Sequence, residues 1–315
     1  MNILDSIPWA RRLKLRHLEV FLAVHETGSL TAAAARLHMT QPALSHWLSD
    51  LEGVLGRPLF IRDRRLTLTR EGEVLRMHAV RMLGDVWRTD EELKAVQSGL
   101  RGRLHVGSGL PRVLLPNAIA RLRERWPGIF VSVVEAPFAA LLEMLANRSI
   151  DVIIGALGTQ ARESGFATDA LIPDSIQIVA RREHPCLQNA SLRWQDMLDH
   201  PWILPPPGAE MRSVLDAAFA EQHLSPPVPC VEAGSSIRAQ LLMGESNYLS
   251  ILLASEVQLH QALGLRNVPL SPVIRFPDIG AIWDADRASP LVSHFLEALR
   301  AESGSDADVQ AGASA

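Results

Sequence analysis

Cysteine is nearly absent: the 315 residues hold two, Cys186 and Cys230. Two thiols build neither a disulfide framework nor a thiolate metal site, so both are read as reduced, structural residues. No apolar run reaches the length of a membrane span. The first residues show no basic stretch followed by an apolar one, so we expect no secretory leader and no membrane partner, as for a bacterial-style cytosolic protein. Signatures of catalysis are missing as well. The eleven histidines are scattered, with no HExxH, no Walker loop and no GxSxG. Asp151, and Asp284 with Asp286, read as turn or cap carboxylates. We therefore expect no enzyme, no metal and no cofactor.

What is present is enough to fold. Hydrophobic residues make up 47% of the chain, ample for a core, and its length suggests two or three domains. The formal net charge of -4 argues against a polyanionic partner until its distribution is read. Residues 1–70 hold ten Arg/Lys against six Asp/Glu, and the excess of acid lies entirely behind them. A basic front on an acidic body suits a front module that meets nucleic acid while the body does not.

Within that front, Leu13 to His25 carries apolar residues at helical spacing, ending at Gly28. Ser29 can cap a short helix from Leu30 to Leu37 that contains four consecutive alanines, the strongest helix formers and small enough to admit another backbone. Thr40 can cap a further helix from Gln41, with Pro42 in its first turn, running to Val54 and stopped by Gly56. Leu44, Trp47, Leu48, Leu51 and Leu55 fall on its inner face, leaving Gln41, Ser45, His46 and Ser49 outside. This outline is a helix-turn-helix or two ordinary packed helices. Two β-prone runs around Arg62-Asp63-Arg64-Arg65 then read as a hairpin whose tip lies on phosphates, where guanidinium forks fit, or simply faces solvent. From Arg70 to Ser98 one long helix carries an apolar stripe through Val74, Leu75, Ala79, Val80, Leu83, Val86, Trp87, Leu93 and Val96. A module this small cannot cover that stripe, so we expect a second copy to do so, with Leu75, Leu83 and Trp87 at the contact.

Behind a glycine-flanked hinge at 99–102 the pattern alternates between strand and helix. The βαβαβ order from Leu104 to Gly155 argues a parallel sheet covered by helices. A second unit begins near Ile176, with short strands expected between Val268 and Pro290 and a final helix over Leu291–Ala301. Residues 302–315 are small and polar and are expected to be disordered.

The stretch from Leu15 to Gly72 resembles the DNA-binding end of LysR-type transcriptional regulators. The resemblance rests on Phe21, Gly28-Ser29, Ala33-Ala34, Leu37, Gln41-Pro42-Ala43, Ser45, Leu51-Glu52, Gly56, Leu59-Phe60, Arg62, Arg65, Leu68-Thr69 and Gly72. It extends more loosely through RGRLHVGSG, Leu114-Leu115-Pro116 and DVIIG at Asp151–Gly155. His46, Trp47 and Arg70-Glu71 depart from the family pattern, and GESNYLSIL from Gly244 lacks its common glycine pair, which points to a subgroup with a sugar- or aromatic-acid-type inducer.

The resemblance implies an α/β chain with an N-terminal winged helix-turn-helix (1–70) and a dimerising linker helix (71–98). Behind them comes a two-lobed effector domain like periplasmic binding proteins (103–301; lobe I about 103–172 and 268–301, lobe II about 173–267). It implies operator DNA as partner, a homodimer built into a tetramer, RNA polymerase as a further candidate partner, and a small inducer between the lobes. Candidate DNA contacts are Ser29, Thr31, Arg36, Thr40, Gln41, Pro42, Ser45, His46, Arg62, Arg64 and Arg65. Candidate inducer contacts are Ser108, Gly109, Phe138, Pro205, Pro206, Ser235 and Ser236. The serines stand at strand ends and helix starts, where hydroxyls and free backbone N–H groups favour a small carboxylate or sugar acid. The alternative is an α/β binding protein or enzyme with a merely structural helical front.

Overall fold

The computed structural model describes residues 7–63, 65–97, 102–109, 114–189, 191–244, 247–260 and 264–312; the side chains at 62, 91, 92, 95, 96, 235, 236, 258–260 and 304–312 lie outside that description. Two compact units divide the chain: Met1–Gln97 with Ala146–Ser149, and Ser98–Leu145 with Ile150–Ala315.

The first unit holds helices α1 (Leu15–Thr27), α2 (Leu30–Arg36) and α3 (Gln41–Leu55), a hairpin of β1 (Phe60–Arg62) and β2 (Leu66–Leu68), and the long helix α4 (Arg70–Gln97). Leu18, Phe21 and Val24 of α1 pack on Ala33 and Ala34 of α2 and on Leu44, Leu48 and Leu51 of α3, all buried in one cluster. Gly28 ends α1 at φ 65°, its N–H donating to the Val24 carbonyl, a conformation any Cβ would strain. A Cβ there would also collide with the Arg65 side chain of the hairpin, so the turn doubles as a seat for the wing.

A buried histidine fixes the angle of α3. His17 is fully buried; its Nδ1 accepts the Lys14 N–H at 3.1 Å, which leaves Nε2 to donate to Asp50 of α3 at 3.0 Å. The same ring meets Trp47 edge-on at 5.0 Å between centroids, and the Lys14 ammonium lies 5.3 Å from that indole. Trp47 is thus a half-buried packing residue, as its spacing indicated.

The second unit is built on a seven-stranded sheet. Strands β3 (Gly102–Ser108), β4 (Ile129–Glu135) and β5 (Val152–Ala156) run parallel, with helices α5 (Leu114–Arg125) and α6 (Phe138–Ala146) as connections. After α7 (Thr159–Glu163) come the fifteen-residue β6 (Ala167–Arg181), β7 (Trp202–Leu204), α8 (Glu210–Glu221), β8 (Pro229–Glu232), α9 (Ser235–Leu242), β9 (Ser250–Leu253), α10 (Ala254–His260) and β10 (Leu265–Asn267). Strand β11 (Ile274–Trp283) and helix α11 (Pro290–Gly312) complete the unit. The sheet order is β10-β6-β11-β5-β3-β4, with β9 also on β6, while β7 and β8 form a separate parallel pair.

Three expectations need correcting. The large sheet is mixed rather than parallel, because β11 lies antiparallel between β5 and β6. The short strands expected between Val268 and Pro290 are one ten-residue strand. Pro173 and Pro277 look like strand breakers in the sequence, yet the register between β6 and β11 slips by bulges between Phe276 and Gly280, where a proline's missing N–H is tolerated. The third correction is the tail: α11 continues past Ala301 to Gly312, anchored where Glu302 accepts from Arg121 at 2.6 Å and Ser303 donates to the Arg300 carbonyl. Gly102 of the expected hinge opens β3, and residues 99–101 lie outside the described residues.

The hydrogen bond from His17, ahead of a smaller opposing burial effect, holds the Asp50 carboxyl below its ordinary value of 3.8. A lowered carboxyl pKa lends stability that is complete above the unfolded value and is lost as pH falls through the folded one. Asp50→Asn should therefore melt at a lower temperature than wild type at pH 7, with a narrower gap at pH 3. Melts that differ equally at both pH values would contradict this role for Asp50.

Candidate nucleic-acid interface and ligand cleft

In the first unit, two helix starts and the wing open onto one groove. Ser29 Oγ accepts the Ala32 N–H and Thr40 Oγ1 the Ala43 N–H, each at 3.4 Å, so α2 and α3 begin with side-chain caps. The groove, about 360 Å³, is lined by Ser29, Thr31, Gln41 and Ser45 together with Phe60 and Asp63 of the hairpin. Backbone donors at helix starts favour an anion in such a place. Of the candidate DNA contacts, Ser29, Thr31, Gln41 and Ser45 are thus brought together, and Thr40, Pro42 and His46 stand exposed beside them. Arg36 is also exposed but lies at the far end of α2 and pairs with Glu26. Arg65 is exposed against Gly28; Arg64 and the Arg62 side chain lie outside the described residues. Asp63 was not among the candidates. An acid between arginines is easily read as charge balance, and its place in the groove shows only in three dimensions.

Helix α4 is apolar on more than one side, where the sequence suggested a single stripe. Leu75, Ala79 and Leu83, four residues apart, pack on the helix-turn-helix core, so Leu75 and Leu83 are engaged within their own chain. Val74, Met77, Met82, Val86, Trp87 and Leu93 remain between 38% and 59% exposed. Of the apolar residues expected to meet a second copy, Val74, Val86, Trp87 and Leu93 are the ones left exposed, and they lie on several sides of the helix rather than in one stripe.

In the second unit a cavity of about 450 Å³ opens at the carboxyl ends of the parallel strands, where β3, β4 and β5 stop at Ser108, Glu135 and Ala156. Ser108, Gly109, Phe138, Pro205 and Pro206 all line it, from segments nearly a hundred residues apart. Gly234, the N-cap of α9, lines it too; Ser235 and Ser236 open that helix, and their side chains lie outside the description. One expectation fails here. The Gly109 N–H is not free for a ligand, because it donates to the Ile154 carbonyl at 3.1 Å.

The charged lining was not anticipated. Arg238 of α9 is 2% exposed and Glu256 of α10 is 4% exposed, and both face the cavity, as does Glu210 of α8. The Glu210 carboxylate rests against Gly158 at the start of α7, filling the space a side chain there would need. Arg238 donates from Nη1 to the Ala233 carbonyl at 2.9 Å and from Nη2 to that of Ile251 at 3.4 Å. Its Nε has no hydrogen-bond partner among the described residues. Burial pulls its pKa down and the Glu256 charge opposes that shift. The available signal was a lone charged residue between Ile237 and Ala239 in the helical run SSIRAQLL.

A winged helix-turn-helix joined through a long helix to a two-lobed α/β ligand-binding domain defines a class of regulator, and comparison with known proteins specifies the family. Residues 15–73 match the bacterial regulatory helix-turn-helix protein, lysR family, and residues 97–304 match the LysR substrate binding domain. The transcriptional regulator GalR of Pseudomonas putida is 33% identical over 261 residues, covering 81% of this chain and 65% of its own length. GbpR of Azospirillum brasilense is 31% identical, covering 93% of this chain and 87% of its own, and CfxR of Cupriavidus necator is 30% identical, covering 93% and 96%. The fold is similar to that of CbnR, a LysR family regulator solved in complex with its target DNA, at a TM-score of 0.62 and 23% identity over 91% of this chain and 99% of that one. Full-length OxyR from Pseudomonas aeruginosa gives a TM-score of 0.58 over 91% and 97%. The chain belongs to the LysR family of DNA-binding transcriptional regulators with an effector-binding domain, a family of regulators and not of enzymes.

Proposed function

We propose that this protein reads operator duplex DNA with the start of α3 and changes that binding when a small carboxylate or sugar acid enters the 450 Å³ cleft. The observation that carries the reading is the convergence of Ser29, Thr31, Gln41 and Ser45 on one groove beside the wing. Gln41 and Ser45 meet base edges in the major groove, Gln41 by a two-point contact with adenine, while Thr40, Pro42 and His46 pack along the backbone. Arg62, Arg64 and Arg65 bind phosphates and set register without reading sequence. Arg36, drawn toward Glu26, contributes less than its charge suggests.

Two copies pair through the exposed apolar residues of α4, so that two recognition helices meet two half-sites, and two such dimers form a tetramer. The protein works in the cytoplasm, beside its operator and RNA polymerase.

Gln41→Ala should weaken operator binding by roughly 1–3 kcal/mol and leave random-sequence binding nearly unchanged. Arg65→Gln should weaken both and lower the slope of log affinity against log salt by about one unit. Gel shifts on both duplexes across a salt series separate the two outcomes, and equal losses for Gln41→Ala on both duplexes would remove it from base readout.

Val86→Glu places a charge on the exposed face of α4 without touching the helix-turn-helix core. Sedimentation should show a smaller assembly that binds operator poorly. An unchanged assembly size would contradict pairing through this face.

A further inference from the structure

The cleft's ligand chemistry can be narrowed from its charge pattern, resting on the reading that this cleft is the effector site. Its walls are apolar: Phe138 and Phe276, the Pro205-Pro206-Pro207 run, and Met211. Among the described lining residues Arg238 is the one cation; Glu135, Glu210 and Glu256 line the same cavity, and of these Glu256 is the charge that acts on it. A guanidinium carries five N–H donors in a rigid plane, and the edge shared by Nε and Nη2 is one that accepts a carboxylate side-on. In Arg238 that edge is the underused one: Nε has no partner among the described residues and Nη2 makes only the 3.4 Å contact, whereas Nη1 is held at 2.9 Å. A buried donor without a partner is a cost the fold carries unless a ligand satisfies it.

The glutamates set the second constraint. Glu256 is buried with Arg238 and is itself positioned by the Leu253 N–H at 2.9 Å, so the guanidinium already has an internal counter-charge. Glu135 and Glu210 add negative charge around the remaining cavity. Arg238 lines the cavity, and a ligand carboxylate that reaches its Nε–Nη2 edge would satisfy the orphaned donor. Among the described lining residues no further cation receives a second anionic group, which would face carboxylates across apolar walls.

We propose that Arg238 anchors the effector through its carboxylate and that the effector is a monocarboxylate with an apolar body, rather than a dicarboxylate, a phosphate ester or a polyhydroxylated acid. Phe138 and Phe276 hold the body, and the prolines give it a rigid wall that yields little on binding.

The test uses the full chain at constant ionic strength and pH 7.5, followed by thermal shift and calorimetry. The probes are acetate, 3-phenylpropionate, its uncharged amide, the dianion phenylsuccinate, and gluconate. Acetate and 3-phenylpropionate should raise the melting temperature, the latter at a concentration at least tenfold lower, and the other three should not at that concentration. Arg238→Gln should abolish both shifts. Arg238→Lys keeps the charge without the fork and should weaken 3-phenylpropionate at least tenfold, so a poorly folding Arg238→Gln protein leaves the proposal testable. Equal carboxylate shifts in wild type and Arg238→Lys overturn the anchor and leave the cleft as effector site. Binding of the amide, phenylsuccinate or gluconate that is lost in Phe138→Asp overturns only the monocarboxylate assignment. No shift from either monocarboxylate in the wild-type protein overturns the proposal.

Discussion

The close approach permitted by two alanines underlies the DNA-binding unit. Ala33 and Ala34 are 0% and 3% exposed, packed among Phe21, Val24 and Leu44. A larger side chain at either place would push α2 off α1 and tilt the start of α3, because well-packed interiors absorb extra methylenes only by shifting backbone. With that contact made, the caps at Ser29 and Thr40 and the wing beside Gly28 fall on one face. The His17–Asp50 bond and the Lys14–Trp47 stack then hold α3 from its other side. Recognition residues on α3 are thus aimed by groups that touch no DNA.

The ligand-binding unit depends on a different device. Strands β6 and β11 are long because each crosses from one lobe to the other: Ala167–Ile172 pairs with the far end of β11, while Ile176–Arg181 pairs with β9 and β10. The bulge region near Phe276 lies beside the cleft that Phe276 lines. The sheet is therefore continuous through the region where the two lobes face each other, and the cavity forms at the strand ends on either side.

Much of the first unit was legible in the sequence because its signals are local. Gly28 and Gly56 end helices by adopting positive φ, Ser29, Thr40 and Pro42 start them, and a period of 3.6 sorts the inner from the outer face of α3. The second unit was legible only as far as its parallel half. An antiparallel return strand such as β11 is defined by its partners, and Pro173 and Pro277 imitate strand ends in a one-dimensional reading. On α4, the apolar stripe divides into a part packed on the core and a part left exposed, because Leu75 and Leu83 could be assigned inward only once the core they cover was known. In the cleft, strand-end and helix-start logic located Ser108, Phe138 and the prolines. Arg238 escaped because arginine is expected at the surface, and its neighbours Ala233, Ile251 and Glu256 come together only in the fold.

The claim that α2 must lie close for α3 to read DNA is tested most directly by operator affinity in Ala34→Leu compared with Ala35→Leu, one residue on and exposed. With an operator selected from random duplexes by the wild-type chain, Ala34→Leu should lose about fivefold or more in affinity, in line with an overpacking cost of about 1–3 kcal/mol, while Ala35→Leu stays within twofold. Equal operator affinity in the two variants, with both folded by circular dichroism, would contradict the account.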